Sequence, residues 1–115
     1  MILRYNGPES PATLADLDDA LERWSRSTEP DREEPEHVIT ALGAVLGAHL
    51  SDMCDLDWSM VSDEFGVDIA VVGQPGDIVI APMSVTAKRV DQGITRFFED
   101  FGEAVRVRIA EIRGV

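Results

Sequence analysis

The spacing of apolar residues changes at Cys54, and this change constrains the fold more than any other feature of the sequence. Before Cys54, apolar residues recur every three or four positions, which is the period of an amphipathic helix. After it they alternate with other residues, which is the period of a half-buried strand. A second helical pattern follows, so the 115-residue chain is expected to form one α+β domain, residues 1–115.

Two helices are predicted before Cys54, over about residues 14–26 and 35–53. Thr13 and Asp16 have the spacing of a capping box at the start of the first helix. Pro35 is suited to the first position of the second helix. On the first helix the apolar stripe predicts three outward-facing acidic residues, which are Asp18, Asp19 and Glu22.

Three alternating runs after Cys54 predict three strands: Leu56, Trp58 and Met60; Val67, Ile69 and Val71; and Ile78 and Ile80. The turns at 63–66 and 73–76 are short, so neighbouring strands must be antiparallel and form a meander. We expect three to four helices to cover this sheet, including a short one over 83–90 and a longer one from about Ile94 as the main cover. Residues 2–5 are compatible with an additional N-terminal edge strand.

Charge is distributed unevenly along the chain. Between Glu33 and Ala87 there is no lysine or arginine but there are ten carboxylates, and the net charge is -12. Such a field repels nucleic acids and anionic membranes and favours a basic protein partner. The candidate interaction residues are the carboxylates around the meander: Asp55, Asp57, Asp63, Glu64, Asp68 and Asp77.

One side of the second helix carries only small residues. Glycine costs about 1 kcal/mol in a helix interior, so the glycines on this side suggest that another helix packs closely against it. That helix could belong to this chain or to a second copy, which allows a homodimer. The candidate helix-packing or dimer face consists of Thr40, Gly43, Ala44 and Gly47.

No catalytic, cofactor-binding or metal-binding motif is predicted in the chain. His49 lies on the inward side of the second helix, where it is either a pocket residue with acid–base or ligand-binding chemistry or a core histidine with a hydrogen-bond partner. Trp24 and Trp58 are expected in the core, and either would become a candidate interface anchor if it were exposed. The single cysteine, Cys54, and the lack of a leader-like start indicate a cytoplasmic protein without a membrane span.

Parts of the sequence resemble a bacterial domain-of-unknown-function family, namely residues 42–50, the pair Asp57-Trp58 and residues 82–90. Their shared features are a glycine-bearing helix, a tryptophan strand, and a proline followed by a lysine–arginine helix. The resemblance covers about residues 38–101 and implies an α+β fold, with no activity or catalytic residues. Separately, residues 4–7 and 14–18 resemble the start of some actinobacterial immunity proteins to secreted toxins.

The sequence therefore favours a non-enzymatic cytoplasmic interaction module, immunity-like or chaperone-like, whose acidic surface docks a basic protein partner. The alternative is a small-ligand-binding protein or enzyme with a pocket around His49.

Overall fold

Four helices and a three-stranded antiparallel sheet make up the part of the chain that the computed structural model describes, residues 12–64 and 66–114. The elements are, in chain order, α1 (Leu14–Arg26), α2 (Pro35–Cys54), β1 (Asp57–Asp63), β2 (Gly66–Gly73), β3 (Ile78–Ile80), α3 (Pro82–Asp91) and α4 (Phe98–Arg113). This confirms the α+β class. The additional edge strand considered for residues 2–5 lies outside the described residues.

Local signals set the limits of α1. The Thr13 side chain accepts a hydrogen bond from the Asp16 amide at 3.1 Å, and the Asp16 carboxylate accepts one from the Thr13 amide at 2.8 Å. This reciprocal pair satisfies two amides at the helix start, as the capping-box spacing predicts. Arg23 and Arg26 lie in the last turn, where they complement the negative end of the helix dipole.

The central helix of the core is α2, whose apolar side is largely enclosed. Four of its side chains are fully buried: Val38, Leu42, Leu46 and Leu50. By length and composition alone α2 could cross a membrane. In the structure, α1, α3 and α4 pack around it, which is the environment of a core helix.

The three strands form a meander in the order β1-β2-β3. Trp58 lies opposite Val71, Met60 opposite Ile69, and Val71 opposite Ile80. Because directly opposed residues share a face of a sheet, the predicted apolar residues of all three strands lie on one side. Helices cover only part of that side, because Val71 is fully buried whereas Met60 is exposed.

A close crossing joins α2 to α3. A Cβ placed on Gly43 would lie 2.7 Å from Cα of Met83, the second residue of α3. Real Cβ atoms do not approach backbone that closely, so the absence of a side chain at Gly43 permits the crossing. Thr86, in the middle of α3, is fully buried and donates from its hydroxyl to the Pro82 carbonyl at 2.8 Å.

The start of α4 differs from the prediction, because it is set by a residue of α1. Asp18 is only 3% exposed, and its carboxylate accepts hydrogen bonds from the amides of Phe97 (2.7 Å), Phe98 (2.8 Å) and Glu99 (3.1 Å). It thereby caps the helix from outside, and α4 begins at Phe98 rather than near Ile94. The prediction that Asp18 faces outward was wrong.

The packing of α4 also differs from the prediction. The helix packs chiefly on α1 and α2, while Ile109 joins the cluster that contains Val71 and Ile78 and Phe101 packs against it. A Cβ on Gly102 would overlap the Leu14 side chain, so this glycine permits close approach of α1. The expectation that α4 is the main cover of the sheet was therefore wrong.

Candidate functional site

The β1–β2 hairpin presents a row of apolar side chains that the described helices cover only in part. They lie on one face of two paired strands, since Met60 opposes Ile69 and the neighbouring pairs alternate with them. The exposed fractions are 43% for Trp58, 72% for Met60, 62% for Val67 and 44% for Ile69. We call these four side chains the apolar hairpin face. Contiguous exposed apolar residues of this kind mark interaction sites on soluble proteins.

Trp58 links the apolar hairpin face to the core. Its ring lies against Gly47 of α2 so closely that a Cβ on Gly47 would overlap it, and the same Cβ would lie 2.9 Å from Cγ of Pro82. One side of the indole is therefore packed and the other side is open. The expectation that Trp58 is a core residue was wrong, whereas Trp24 is buried and donates from its indole N–H to the Glu33 carbonyl at 2.8 Å.

The opposite face of β1 is acidic. Asp57 and Asp63 begin and end the strand and share this face, because side chains six positions apart in a strand point to the same side. Asp68 lies opposite Val61 on the same face of the sheet. Its carboxylate accepts from the Ser84 hydroxyl at 2.5 Å and from the Ile69 amide at 2.9 Å.

Glu64 lies in the turn at the hairpin tip, whereas three of the predicted interaction carboxylates lie at the end of the sheet nearest to α4. Asp55, Asp57 and Asp77 line a surface groove of about 580 Å³ together with Arg113. Arg113 donates to the carbonyls of Cys54, Asp55 (3.3 Å) and Gln74 (3.2 Å), so its guanidinium serves the C-terminal end of α2 and the β2–β3 turn. Within the described ranges, the structure shows no ion pair between Arg113 and these carboxylates.

The described ion pairs lie elsewhere, on α1, α4 and the segment between α3 and α4. Arg96 bridges Asp19 at 3.0 Å and Glu22 at 3.4 Å, while α4 carries its own pairs at 103–106 and 108–111. Since Asp55, Asp57, Glu64 and Asp77 form no ion pair with another described residue, their charges are left for solvent or for a partner. The six predicted carboxylates thus do not form one cluster but follow the sheet from the hairpin tip to the β2–β3 turn.

His49 makes a hydrogen bond to the backbone rather than to a carboxylate or a thiol. Its Nε2 lies 2.5 Å from the carbonyl oxygen of Ala12, immediately before α1. A carbonyl only accepts, so Nε2 carries the proton in this arrangement. No group of three or more His, Cys, Asp or Glu side chains suited to a metal ion occurs among the residues described.

Cys54 lies at the end of α2 in the core cluster. Burial raises the pKa of its thiol above the ordinary value, and the nearby positive charges of Arg113 and Arg106 act in the opposite direction with smaller effect. The thiol therefore stays protonated at neutral pH, which suits a structural cysteine rather than a nucleophile.

The small-residue face of α2 is divided by its surroundings. Gly43 lies against Met83 of α3, and Gly47 lies against Trp58 and Pro82, all from the same chain. Thr40 and Ala44 are exposed. Self-association through these residues remains a prediction.

The apolar hairpin face is the part of the site that sequence reasoning missed. Alternation assigns a residue to one face of a sheet, but it does not say whether anything covers that face. Strand length is the feature that indicates an uncovered region, because β3 has three residues whereas β1 has seven and β2 has eight. A hairpin that extends beyond its third strand leaves its far end without a neighbour.

Comparison with known proteins identifies a family. A family model described as a domain of unknown function, DUF3806, matches residues 17–98. This segment runs from the fourth residue of α1 to the first residue of α4. Neither the curated proteins nor the solved structures contain a match to the chain. Because the matched segment covers more than half of its length, this chain belongs to the DUF3806 family, a domain family of unknown function.

Proposed function

We propose that the protein is a non-enzymatic cytoplasmic interaction module whose carboxylate-rich sheet region docks a basic protein partner. One observation carries the proposal: Asp55, Asp57, Glu64 and Asp77 are exposed and lack a described ion-pair partner, while the described ion pairs lie on α1, α4 and the segment before α4. Such a field accelerates encounter with a cationic protein and makes binding sensitive to salt.

The apolar hairpin face supports the same proposal. Charge steers encounter, but stable complexes also need apolar and aromatic contacts, and Trp58 and Met60 supply these on the face of the hairpin opposite the β1 carboxylates. A hairpin with one acidic face and one apolar face would suit an immunity-like or chaperone-like protein that holds a basic client.

Affinity capture with the immobilised protein tests the proposal, followed by titration with the purified captured partner. We expect that partner to be basic and its affinity to fall strongly between about 50 and about 500 mM salt, since the Debye length shrinks from about 14 to about 4 Å over this range. The test variant neutralises three carboxylates near the sheet: Asp57→Asn, Glu64→Gln and Asp77→Asn.

A matched control variant makes the same change in charge at the other end of α2: Glu29→Gln, Asp31→Asn and Glu34→Gln. These three side chains are exposed, and the 20-residue helix separates them from the sheet by about 30 Å. Exposed ion pairs contribute roughly 0.2–1 kcal/mol each, so the test variant should weaken binding about tenfold and the control much less. Equal affinity of both variants, together with affinity that is flat with salt, would contradict the proposal.

A further inference from the structure

We propose that the outer edge of β1 binds an extended cationic segment of the partner as a fourth strand of the sheet. This inference rests on the docking function proposed above and specifies its geometry. β1 pairs with β2 along its whole length, from Asp57 opposite Val72 to Asp63 opposite Gly66, and no other described strand lies on its outer side. Alternate backbone N–H and C=O groups of such an edge point outward and can pair with an added strand.

β1 also lacks most of the features by which natural edge strands prevent such pairing. Edge strands are commonly short or carry charged side chains, especially lysine, or contain proline or a bulge. The charges of β1 are confined to its two ends, Asp57 and Asp63. β1 has seven residues, contains neither lysine nor proline, and keeps continuous register with β2. The opposite edge is different, because β3 has only three residues and α3 follows it, with Ser84 bonded to Asp68 of β2.

The side chains of β1 define which segment fits. Trp58 and Met60 project to the apolar hairpin face, whereas Asp57 and Asp63 project to the opposite face. Side chains on adjacent strands that share a face lie about 4.5–5.5 Å apart and interact as pairs. An added strand therefore needs apolar residues on one face and lysine or arginine on the other, which is a simple alternation of apolar and basic residues.

A second copy of the chain fits this edge poorly. A symmetric antiparallel pair of β1 strands centred on Met60 would place Asp57 of each copy opposite Asp63 of the other copy. Like charges directly opposite one another destabilise a strand pair, and each copy also carries a net charge of -12. Charge complementarity thus selects a cationic segment over self-pairing.

The binding test uses three synthetic peptides and the full chain. The first is a capped peptide of about eight residues in which valine alternates with lysine, a length that spans an average strand. The second has the same composition with all valines before all lysines. The third is the alternating peptide with N-methyl groups on the amides of one edge, which removes those donors without changing its charge. We expect the alternating peptide to bind at least about tenfold more tightly than either comparator and to protect β1 amides from hydrogen exchange.

Two variants locate the site. Met60→Lys places a positive charge in the apolar hairpin face, where the native side chain is 72% exposed and its replacement leaves the core intact. Val107→Lys is the matched control, because Val107 is 40% exposed and belongs to α4. We expect Met60→Lys to weaken the alternating peptide about tenfold and Val107→Lys to leave its affinity unchanged, with far-UV circular dichroism confirming that both fold.

The outcomes separate this inference from the function on which it rests. Equal binding of all three peptides would overturn strand addition while the docking function stands, because charge alone would then explain affinity. No binding of the alternating peptide would also overturn it, including the case in which a second copy already occupies the edge, which light scattering would detect as a dimer. Failure of the docking function would instead appear as salt-independent affinity for the captured partner.

Discussion

Replacing Asp18 by alanine should destabilise the protein more than any exposed substitution. The carboxylate of Asp18 is the acceptor for three amides, those of Phe97, Phe98 and Glu99, and the first two hydrogen bonds are buried. An unsatisfied buried donor costs about 1–3 kcal/mol, and water can reach the third amide more readily. We therefore expect a loss of about 3–5 kcal/mol, a large share of the 5–15 kcal/mol that is typical for the unfolding of a domain.

Asp19→Ala is the matched control, because Asp19 is the next residue of the same helix and its side chain is 58% exposed. It loses only a surface ion pair with Arg96, which is worth about 0–1 kcal/mol. Asp18→Asn should fall between the two, since the amide keeps one acceptor oxygen but presents a donor where the second oxygen stood.

Urea unfolding measured by circular dichroism gives the difference in free energy from the shift of the midpoint at constant slope. Hydrogen exchange adds a local readout, because the amides of Phe97 and Phe98 should lose protection before the rest of α4. If Asp18→Ala and Asp19→Ala unfold within about 1 kcal/mol of each other, the capping account of α4 is refuted.

Three further predictions concern single sites. Gly47→Ala should lower the free energy of unfolding in urea by about 1–3 kcal/mol, because the new Cβ would displace the Trp58 ring. Alanine favours helices, so a gain in stability would contradict this packing. Cys54 should react slowly with a chromogenic disulfide reagent at pH 8 in the native state and fast in denaturant, because burial raises its pKa; equal rates would show an accessible thiolate. The hydrogen bond from Arg106 lowers the pKa of Glu103, so in an NMR titration Glu103 should have a midpoint below that of other exposed glutamates. The ionised form of Glu103 is lost as the pH falls through this midpoint, and Arg106→Gln should raise the midpoint.

Elements set by local chemistry were predictable from the sequence. The capping box of Thr13 and Asp16 is made by residues three positions apart, and α1 has the predicted limits. The short turns after Asp63 and Gly73 leave antiparallel pairing as the only option, and the meander has the predicted order.

Features set by distant residues were not predictable in the same way. The amides at the start of α4 find their acceptor 79 to 81 positions earlier in the chain, and no local pattern around Phe97 indicates it. A signal existed in α1, where Asp18 lies at helical phase with Leu14 and Leu21 and therefore on the inward side. A buried carboxylate at such a position needs a donor set from elsewhere.

The candidate site was predictable in its charge but not in its shape. The run without lysine or arginine identifies the acidic region, because charge can be read from composition. The exposure of Met60 cannot be read from composition, because it depends on how far the helices reach across the hairpin. The hydrogen-bond partner of His49 was not predictable either. The acceptor is the backbone carbonyl of Ala12, and every residue has such a carbonyl, so no residue type in the sequence indicates it.

The hydrogen bonds that Asp18 accepts also bring together the two ends of the segment matched by the family model. That segment starts at Leu17 and stops at Phe98, and these positions are held side by side because Asp18 accepts from the Phe98 amide. The two ends meet in the core, and α4 continues from Phe98 to pack on α1 and α2. The matched segment and α4 therefore form one folded unit, in which the first described helix anchors the last.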